Sequence, residues 1–145
     1  KLEMIFYPHR DMQSFIDYFN IDDENIITAK WPEYEVQQLL IESQYLITDY
    51  SSIAMDFAYM QKRLLYYQFD YEDFRRGQYP EGYFSYEKDG FGKVCYNIGE
   101  VVSEFENAVS ENFANPDEYL TRHKNFFDLY DTHNCERNYN AIKEL

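Results

Sequence analysis

Short apolar runs alternate with stretches of helical periodicity along this chain, and that alternation constrains its fold more than any other feature. Met4-Ile5-Phe6-Tyr7, Asn25-Ile26-Ile27-Thr28, Tyr45-Leu46-Ile47-Thr48 and Leu64-Leu65-Tyr66-Tyr67 read as strands. Between them, Met12, Phe15, Ile16 and Phe19 recur at helical spacing behind a capping Asp11. A second helix is expected from near Pro32, burying Val36, Leu39 and Leu40, and a third from Ser51 or Ser52, burying Ile53, Ala54, Phe57 and Ala58. Strand–helix alternation of this kind predicts an α/β fold, a parallel sheet flanked by helices.

The second half is less regular. Residues 68–92, dense in Tyr, Asp, Glu and Gly, read as a long loop, a feature that usually has a functional reason. Lys93-Val94-Cys95-Tyr96 is expected as a short strand. The next helix is expected to turn Val101, Val102, Phe105, Ala108 and Val109 inward. Asn115-Pro116-Asp117-Glu118 is a helix-start signal with Asn as cap, and a last helix is expected from Asn134. His123 is expected on a helix surface, and His133 in a turn.

With 145 residues, 45% hydrophobic and 20% aromatic, the chain has enough apolar material for one domain with a core. Its formal charge of −14 argues against nucleic acid or an anionic membrane as partner of this piece, because both call for excess Lys and Arg. A local anion site remains open, since backbone N–H groups bind phosphate without net basic charge. No run approaches the roughly 18–20 apolar residues of a membrane-spanning helix. Lys1-Leu2-Glu3-Met4 leads directly into the first strand without a signal peptide, so the chain reads as part of a longer protein. Cys95 and Cys135 stand 40 positions apart without metal-like spacing and are expected as reduced thiols.

The stretch Thr48-Asp49-Tyr50-Ser51-Ser52 places hydroxyls between a strand's carboxyl end and a helix start. In open α/β sheets ligands bind at that edge, and a helix start offers unpaired amides. Ser51 and Ser52 could therefore cradle a diphosphate; equally, one could simply cap the helix. Pro8-His9-Arg10 follows the first strand, so His9 and Arg10 could donate to phosphate oxygens, or His9 could be a surface side chain beside Asp11. Tyr71, Asp73, Arg75, Arg76 and Gln78 sit in the long loop, either contacting a ligand or forming a solvated surface. Trp31 is open to two readings, stacking on a base or packing beside Pro32. Phe126, Phe127 and Tyr130 read as core or as a face covered by further protein, and such a patch left exposed would favour a homo-oligomer.

The run from Leu39 through Tyr45-Leu46-Ile47-Thr48-Asp49-Tyr50-Ser51-Ser52 resembles the central signature of the CDP-glycerol glycerophosphotransferase family, the teichoic acid polymerases. So do Asp56-Phe57-Ala58, Leu64-Leu65-Tyr66-Tyr67-Gln68-Phe69-Asp70-Tyr71, Gly82-Tyr83-Phe84-Ser85-Tyr86, Gly90-Phe91-Gly92 and Asp131-Thr132-His133-Asn134-Cys135-Glu136-Arg137. The resemblance implies the donor-binding, C-terminal half of a two-domain GT-B enzyme, with residues 1–145 as a single Rossmann-like nucleotide-binding domain. It implies transfer of glycerol phosphate from CDP-glycerol to a growing lipid-linked poly(glycerol phosphate), releasing CMP. Ser51 and Ser52 would then hold the diphosphate, with Thr48 and Asp49 shaping the turn. His9 would be the donor-side catalytic histidine, and Arg10 and Arg137 phosphate ligands. The family often has Pro after this histidine, whereas here Pro8 precedes His9 and Arg10 follows.

The acceptor half, with a general-base histidine, is expected outside this chain, so the chain alone should bind donor without turnover. No cofactor is implied beyond the donor substrate, and no metal-ligand cluster is visible; a divalent ion's part is left open. The expected place is the cytoplasm, peripheral at the inner face of the membrane in the longer protein. Two other readings stand beside this one: a GT-B enzyme using a UDP-sugar, and a noncatalytic α/β interaction module.

Overall fold

A computed structural model describes residues 2–19, 21–77 and 82–145. It divides into two compact units, Lys1–Ser43 and Gln44–Leu145.

In the first unit, β1 (Met4–Phe6) and β2 (Ile26–Thr28) pair in parallel, with Met4 opposite Ile26 and Phe6 opposite Thr28. The segment between them is helical but not α-helical: Arg10–Tyr18 forms a 3₁₀ helix. At three residues per turn, side chains three apart eclipse. Gln13, Ile16 and Phe19 therefore line one edge. Ile16 is buried, Phe19 packs edge-on to Phe6 at 5.1 Å, and Gln13 Nε2 donates to the Pro8 carbonyl at 2.9 Å. Met12, Phe15 and Tyr18 line another edge and are exposed. The α-helical grouping of Met12 and Phe15 with Ile16 is thus corrected by the change of pitch. The cap also differs: His9, not Asp11, caps this helix. The next helix, α1 (Val36–Glu42), starts later than Pro32 and buries Leu40, with Val36 and Leu39 half-buried.

In the second unit β3 (Tyr45–Thr48), β4 (Arg63–Tyr67) and β5 (Gly92–Cys95) form an all-parallel sheet in the order β3-β4-β5. The central strand is the core, with Leu64, Leu65 and Tyr66 almost wholly inaccessible. β5 lies so close to it that a Cβ on Gly92 would fall 2.0 Å from the Leu64 carbonyl oxygen. That contact admits only glycine. Helices α2 (Ile53–Tyr59) and α5 (Ile98–Ser110) pack on β4. α2 buries Ala54, Phe57 and Ala58; α5 buries Val101 and Ala108 but leaves Val102 and Val109 exposed. Cys95 is buried in the sheet and Cys135 is exposed; both are free thiols.

The expected loop over 68–92 contains two helices instead, α3 (Tyr71–Gly77) and α4 (Tyr86–Asp89). The local chemistry accounts for both. α3 carries Glu72 and Asp73 in its first turn and Arg75 and Arg76 in its last, matching the helix dipole. α4 has a reciprocal cap, in which Lys88 N donates to Ser85 Oγ and Ser85 N donates to Asp89 Oδ2 at 2.8 Å. Gln78 lies outside the described residues.

The last two helices are α6 (Asp117–Phe126) and α7 (Asn134–Lys143). Asn115 does not cap α6; its Nδ2 donates to the Gln61 carbonyl at 3.2 Å, leaving Pro116 at the cap position. Phe126 and Phe127 pack around Phe91, and Tyr130 stacks on Tyr59 at 4.9 Å. This aromatic cluster reaches α6, so His123 is fully buried, 5.2 Å from the Phe91 ring, rather than on the surface. His133 precedes α7 and faces Glu136 at 3.3 Å.

At the amino end of β4, buried Arg63 donates to Glu104 on α5 at 2.7 Å, to Glu111, and to the Ala114 carbonyl at 2.9 Å. A charge stranded in the interior is far more harmful than a buried pair is helpful. Arg63→Met, which leaves buried Glu104 with only the longer 3.8 Å contact to Lys93, should lower unfolding stability by about 3 kcal/mol in urea titration, the low end for a broken buried pair. Adding Glu104→Leu should recover part of that loss.

Burial, with neither ring nitrogen hydrogen-bonded among the described residues, pushes the His123 imidazole below its ordinary value of 6.5. The unfolded chain then binds the proton more readily than the folded one. Stability from this group is complete above the unfolded value and falls as pH drops below about 6.5. Asp23, Glu100 and Asp131, held below their ordinary values mainly by hydrogen bonds, lose their contributions only at lower pH. His123→Phe should flatten the stability profile between about pH 5 and 6.5, leaving the acid limb intact.

Candidate functional site

The carboxyl ends of β3, β4 and β5 open onto one edge of the sheet. Strand register fixes this, because Thr48 lies opposite Tyr66 and Tyr67 opposite Cys95. Each strand therefore delivers its next residues, the 49–52 turn, Gln68 onward and Tyr96 onward, to the same edge. In parallel α/β sheets that edge is where ligands sit.

On the turn, Thr48 and Ser51 are half-buried, while Asp49 and Ser52 are exposed. Ser51 Oγ lies 3.5 Å from the Ile53 amide, a marginal capping contact. Ser52 occupies the cap position with helical φ and ψ, and its side chain makes no cap hydrogen bond. Capping by one of the two serines, where it occurs, thus falls to the marginal Ser51 contact and not to Ser52. α2 has seven residues, so its dipole is short; hydroxyls and local amides are what this turn offers an anion.

Tyr50 ties the turn to the next strand. Its ring stacks on Phe74 at 3.5 Å, its hydroxyl donates to Asp70 Oδ1 at 3.1 Å, and its carbonyl accepts from the Tyr86 hydroxyl at 3.4 Å. Burial first, then the Asp70 carboxylate, raises the Tyr50 phenol well above its ordinary value, so it remains a neutral donor. Beyond this bridge a cavity of about 380 Å³ is lined by residues including Gln68, Asp70, Tyr71, Asp73, Arg76 and Tyr96. Of the loop residues singled out from sequence, Tyr71, Asp73 and Arg76 line it, Asp73 and Arg76 paired with each other at 2.9 Å. Arg75 lies over the Tyr71 ring at 5.3 Å and lines a smaller neighbouring cavity. Tyr50, Gln68, Asp70 and Tyr96 had no assigned part in the sequence reading. Sequence could show only that they follow strand ends, where a ligand meets the sheet; their contacts could not be read from it.

His9 and Arg10 belong to the first unit. His9 Nδ1 accepts from the Asp11 amide at 3.3 Å and lies 3.6 Å from the Asp11 carboxylate. The first contact needs an unprotonated Nδ1, whereas the second becomes an ion pair only in the charged ring. In the neutral ring the capping contact leaves the proton on Nε2. Arg10 lies 5.9 Å from the centre of the Trp31 ring, which is itself exposed. Arg137 grips Asp131 with both terminal nitrogens at 2.9 and 3.0 Å and also reaches Asn134. A phosphate at Arg137 would compete with that fork. Among the described residues no group of three or more His, Cys, Asp or Glu side chains could hold a metal ion. Among them, too, no helix is long and apolar enough to cross a membrane.

Parallel sheets, flanking helices and a hydroxyl-bearing turn at the carboxyl edge define a Rossmann-like α/β protein. The sequence profile of the CDP-glycerol:poly(glycerophosphate) glycerophosphotransferases matches residues 1–144, and the chain belongs to that family. It is 35% identical over 145 residues to the minor teichoic acid biosynthesis protein GgaB of Bacillus subtilis strain 168, covering 99% of this chain and 15% of that protein. The teichoic acid poly(glycerol phosphate) polymerase of the same organism is 26% identical over 74% of this chain and 14% of its own length. The teichoic acid poly(ribitol-phosphate) polymerase of Bacillus spizizenii is 27% identical over 71% of this chain and 16% of its own. The chain thus spans about one-sixth or less of these relatives. No solved structure matches it significantly.

The Tyr50–Asp70 bond is the polar link between the turn and the cavity. Tyr50→Phe keeps the ring stack and removes that bond. It should lower stability by about 1 kcal/mol in denaturant titration, below the usual range for a bond to a charged group because both partners are half-exposed.

Proposed function

We propose that this chain is the donor-binding part of a transferase that moves glycerol phosphate from CDP-glycerol onto a teichoic-acid-type polymer. The family match over residues 1–144 carries this reading. In this proposal the Ser51 and Ser52 hydroxyls and the amides of the 51–53 turn hold the diphosphate, with Thr48 and Asp49 forming the turn. His9 serves as the donor-side histidine, offering Nε2–H to a phosphate oxygen, and Arg10 and Arg137 are further phosphate ligands. The polymer's terminal hydroxyl oxygen bonds to the glycerol-bearing phosphorus. The bond from that phosphorus to the bridging oxygen breaks, and CMP leaves with the electron pair. The hydroxyl's proton passes to a base outside this chain. Positioning and charge stabilisation suffice for such a transfer, which needs little covalent help from the protein.

The same proposal gives the full-length protein a GT-B architecture and a lipid-linked polyol phosphate acceptor bound outside residues 1–145. It also places that protein peripherally at the inner face of the membrane. The donor is treated as the substrate, with no cofactor assigned.

Calorimetry with CDP-glycerol tests the donor assignment directly. Binding by the wild-type chain is expected, with about tenfold weakening in Ser52→Ala, roughly one hydrogen bond to a charged oxygen. UDP-glucose should compete poorly. Tighter binding of UDP-glucose than of CDP-glycerol would move the chain to UDP-sugar chemistry, and no nucleotide binding at millimolar ligand would remove the donor role.

A further inference from the structure

Past the end of β4 the protein buries an amide and gives it no partner. Gln68 is 1% exposed, and neither its Nε2 nor its Oε1 has a hydrogen-bond partner. Its backbone is engaged, with N donating to the Cys95 carbonyl at 2.8 Å and O accepting from Tyr71 N at 3.3 Å. The backbone bonds hold the side chain in place, yet the amide gains nothing from being there. Buried polar groups without partners are uncommon and disfavour the folded state, so each calls for a reason.

Its location supplies one. Gln68, Tyr71 and Tyr96 line both the cavity of about 380 Å³ and its neighbour of about 130 Å³. The Tyr71 and Tyr96 rings meet edge-on at 6.1 Å, so this pair and the amide form the partition between the two spaces. A ligand that parts the rings reaches the amide from either side.

Chemistry narrows what that ligand is. The amide offers two donors and an acceptor side by side. Asp70, Glu72 and Asp73 line the larger cavity, and Arg76 there is paired with Asp73. Carboxylates repel phosphate but accept from hydroxyls. Adjacent hydroxyls, each both donor and acceptor, satisfy the amide and the carboxylates together. The serine turn leaves the neighbouring strand, about 5 Å away across the sheet, and Tyr50 links the turn to Asp70. A nucleotide with its diphosphate on that turn therefore brings its hydroxyl-bearing parts within reach.

Resting on the donor reading above, we propose that the Gln68 amide is a specificity-determining contact for a vicinal diol of the nucleotide donor. Two parts of CDP-glycerol carry one, the glycerol end and the ribose. Gln68→Met removes the orphaned amide and keeps its length and bulk. Thermal stability should hold or rise, while affinity falls about tenfold or more, as expected when a site built to bond a hydroxyl loses its partner. A structural amide would lower the melting temperature and leave affinity unchanged.

Calorimetry with CDP-glycerol, CDP and 2′-deoxy-CDP separates the sources. A loss confined to CDP-glycerol assigns the glycerol end. A loss shared by CDP but absent for 2′-deoxy-CDP assigns the ribose. An equal loss on 2′-deoxy-CDP means the amide reads the base, and overturns the diol. Unchanged affinity for all three in Gln68→Met, with wild-type binding intact, overturns the inference alone. Absence of binding to the wild-type chain removes the donor reading and this inference with it.

Discussion

Hydrogen bonding of β4 between two parallel neighbours is the constraint on which the second unit depends. A parallel ladder fixes direction as well as register, so three carboxyl ends must emerge together. Glycine at position 92 lets the ladder close, since any Cβ there would strike the Leu64 carbonyl. Arg63 then holds the register, because slippage by one residue would pull its buried guanidinium away from Glu104 and Glu111. Opposite ends of β4 consequently do different things. Arg63 at the amino end satisfies two glutamates and ties α5 down. Gln68, just past the carboxyl end, is left unsatisfied at the edge where the cavities open.

Much of this frame was legible because strands in a parallel sheet are apolar on both faces and announce themselves as short runs. The parallel α/β class, the strand positions and the family resemblance could all be read from residues. What escaped has physical causes. Met12, Phe15, Ile16 and Phe19 fit both an α-helix and a 3₁₀ helix, and only the way Ile16 and Phe19 face inward decides between them. Helices α3 and α4 are too short for periodicity to register, and their aromatic and charged composition resembles a loop. His123 is polar by type, so burial among aromatic rings had no signature in a single sequence.

The functional edge was legible in outline and not in detail. Position alone singled out Ser51 and Ser52, because strand end followed by helix start is a pattern visible without coordinates. Gln68 was visible only as one letter of a family-like run. Its significance comes from an absence of partners, which no sequence displays. Tyr50 is similar: as a letter it is an aromatic within the turn, and only its contacts with Phe74 and Asp70 make it the connection between turn and cavity.

Charge sets the remaining condition on any anionic donor. A net charge of −14 creates a field that opposes the approach of a diphosphate from solution. At physiological ionic strength that field is screened beyond about 8 Å, so only the groups near the turn matter once contact is made. There the exposed Ser52 hydroxyl and the turn's amides carry partial positive charge without adding a cation, beside the exposed carboxylate of Asp49, and three further carboxylates, Asp70, Glu72 and Asp73, line the cavity. The turn thus sets hydroxyl and amide donors beside one carboxylate, and the cavity gathers three carboxylates around the Asp73–Arg76 pair. In the proposed reading, the donor's phosphates meet the turn's hydroxyls and amides, and its hydroxyls meet the cavity's carboxylates. An acidic chain can in this way take up an anion, provided that the anion's other end is neutral and rich in hydrogen-bond donors.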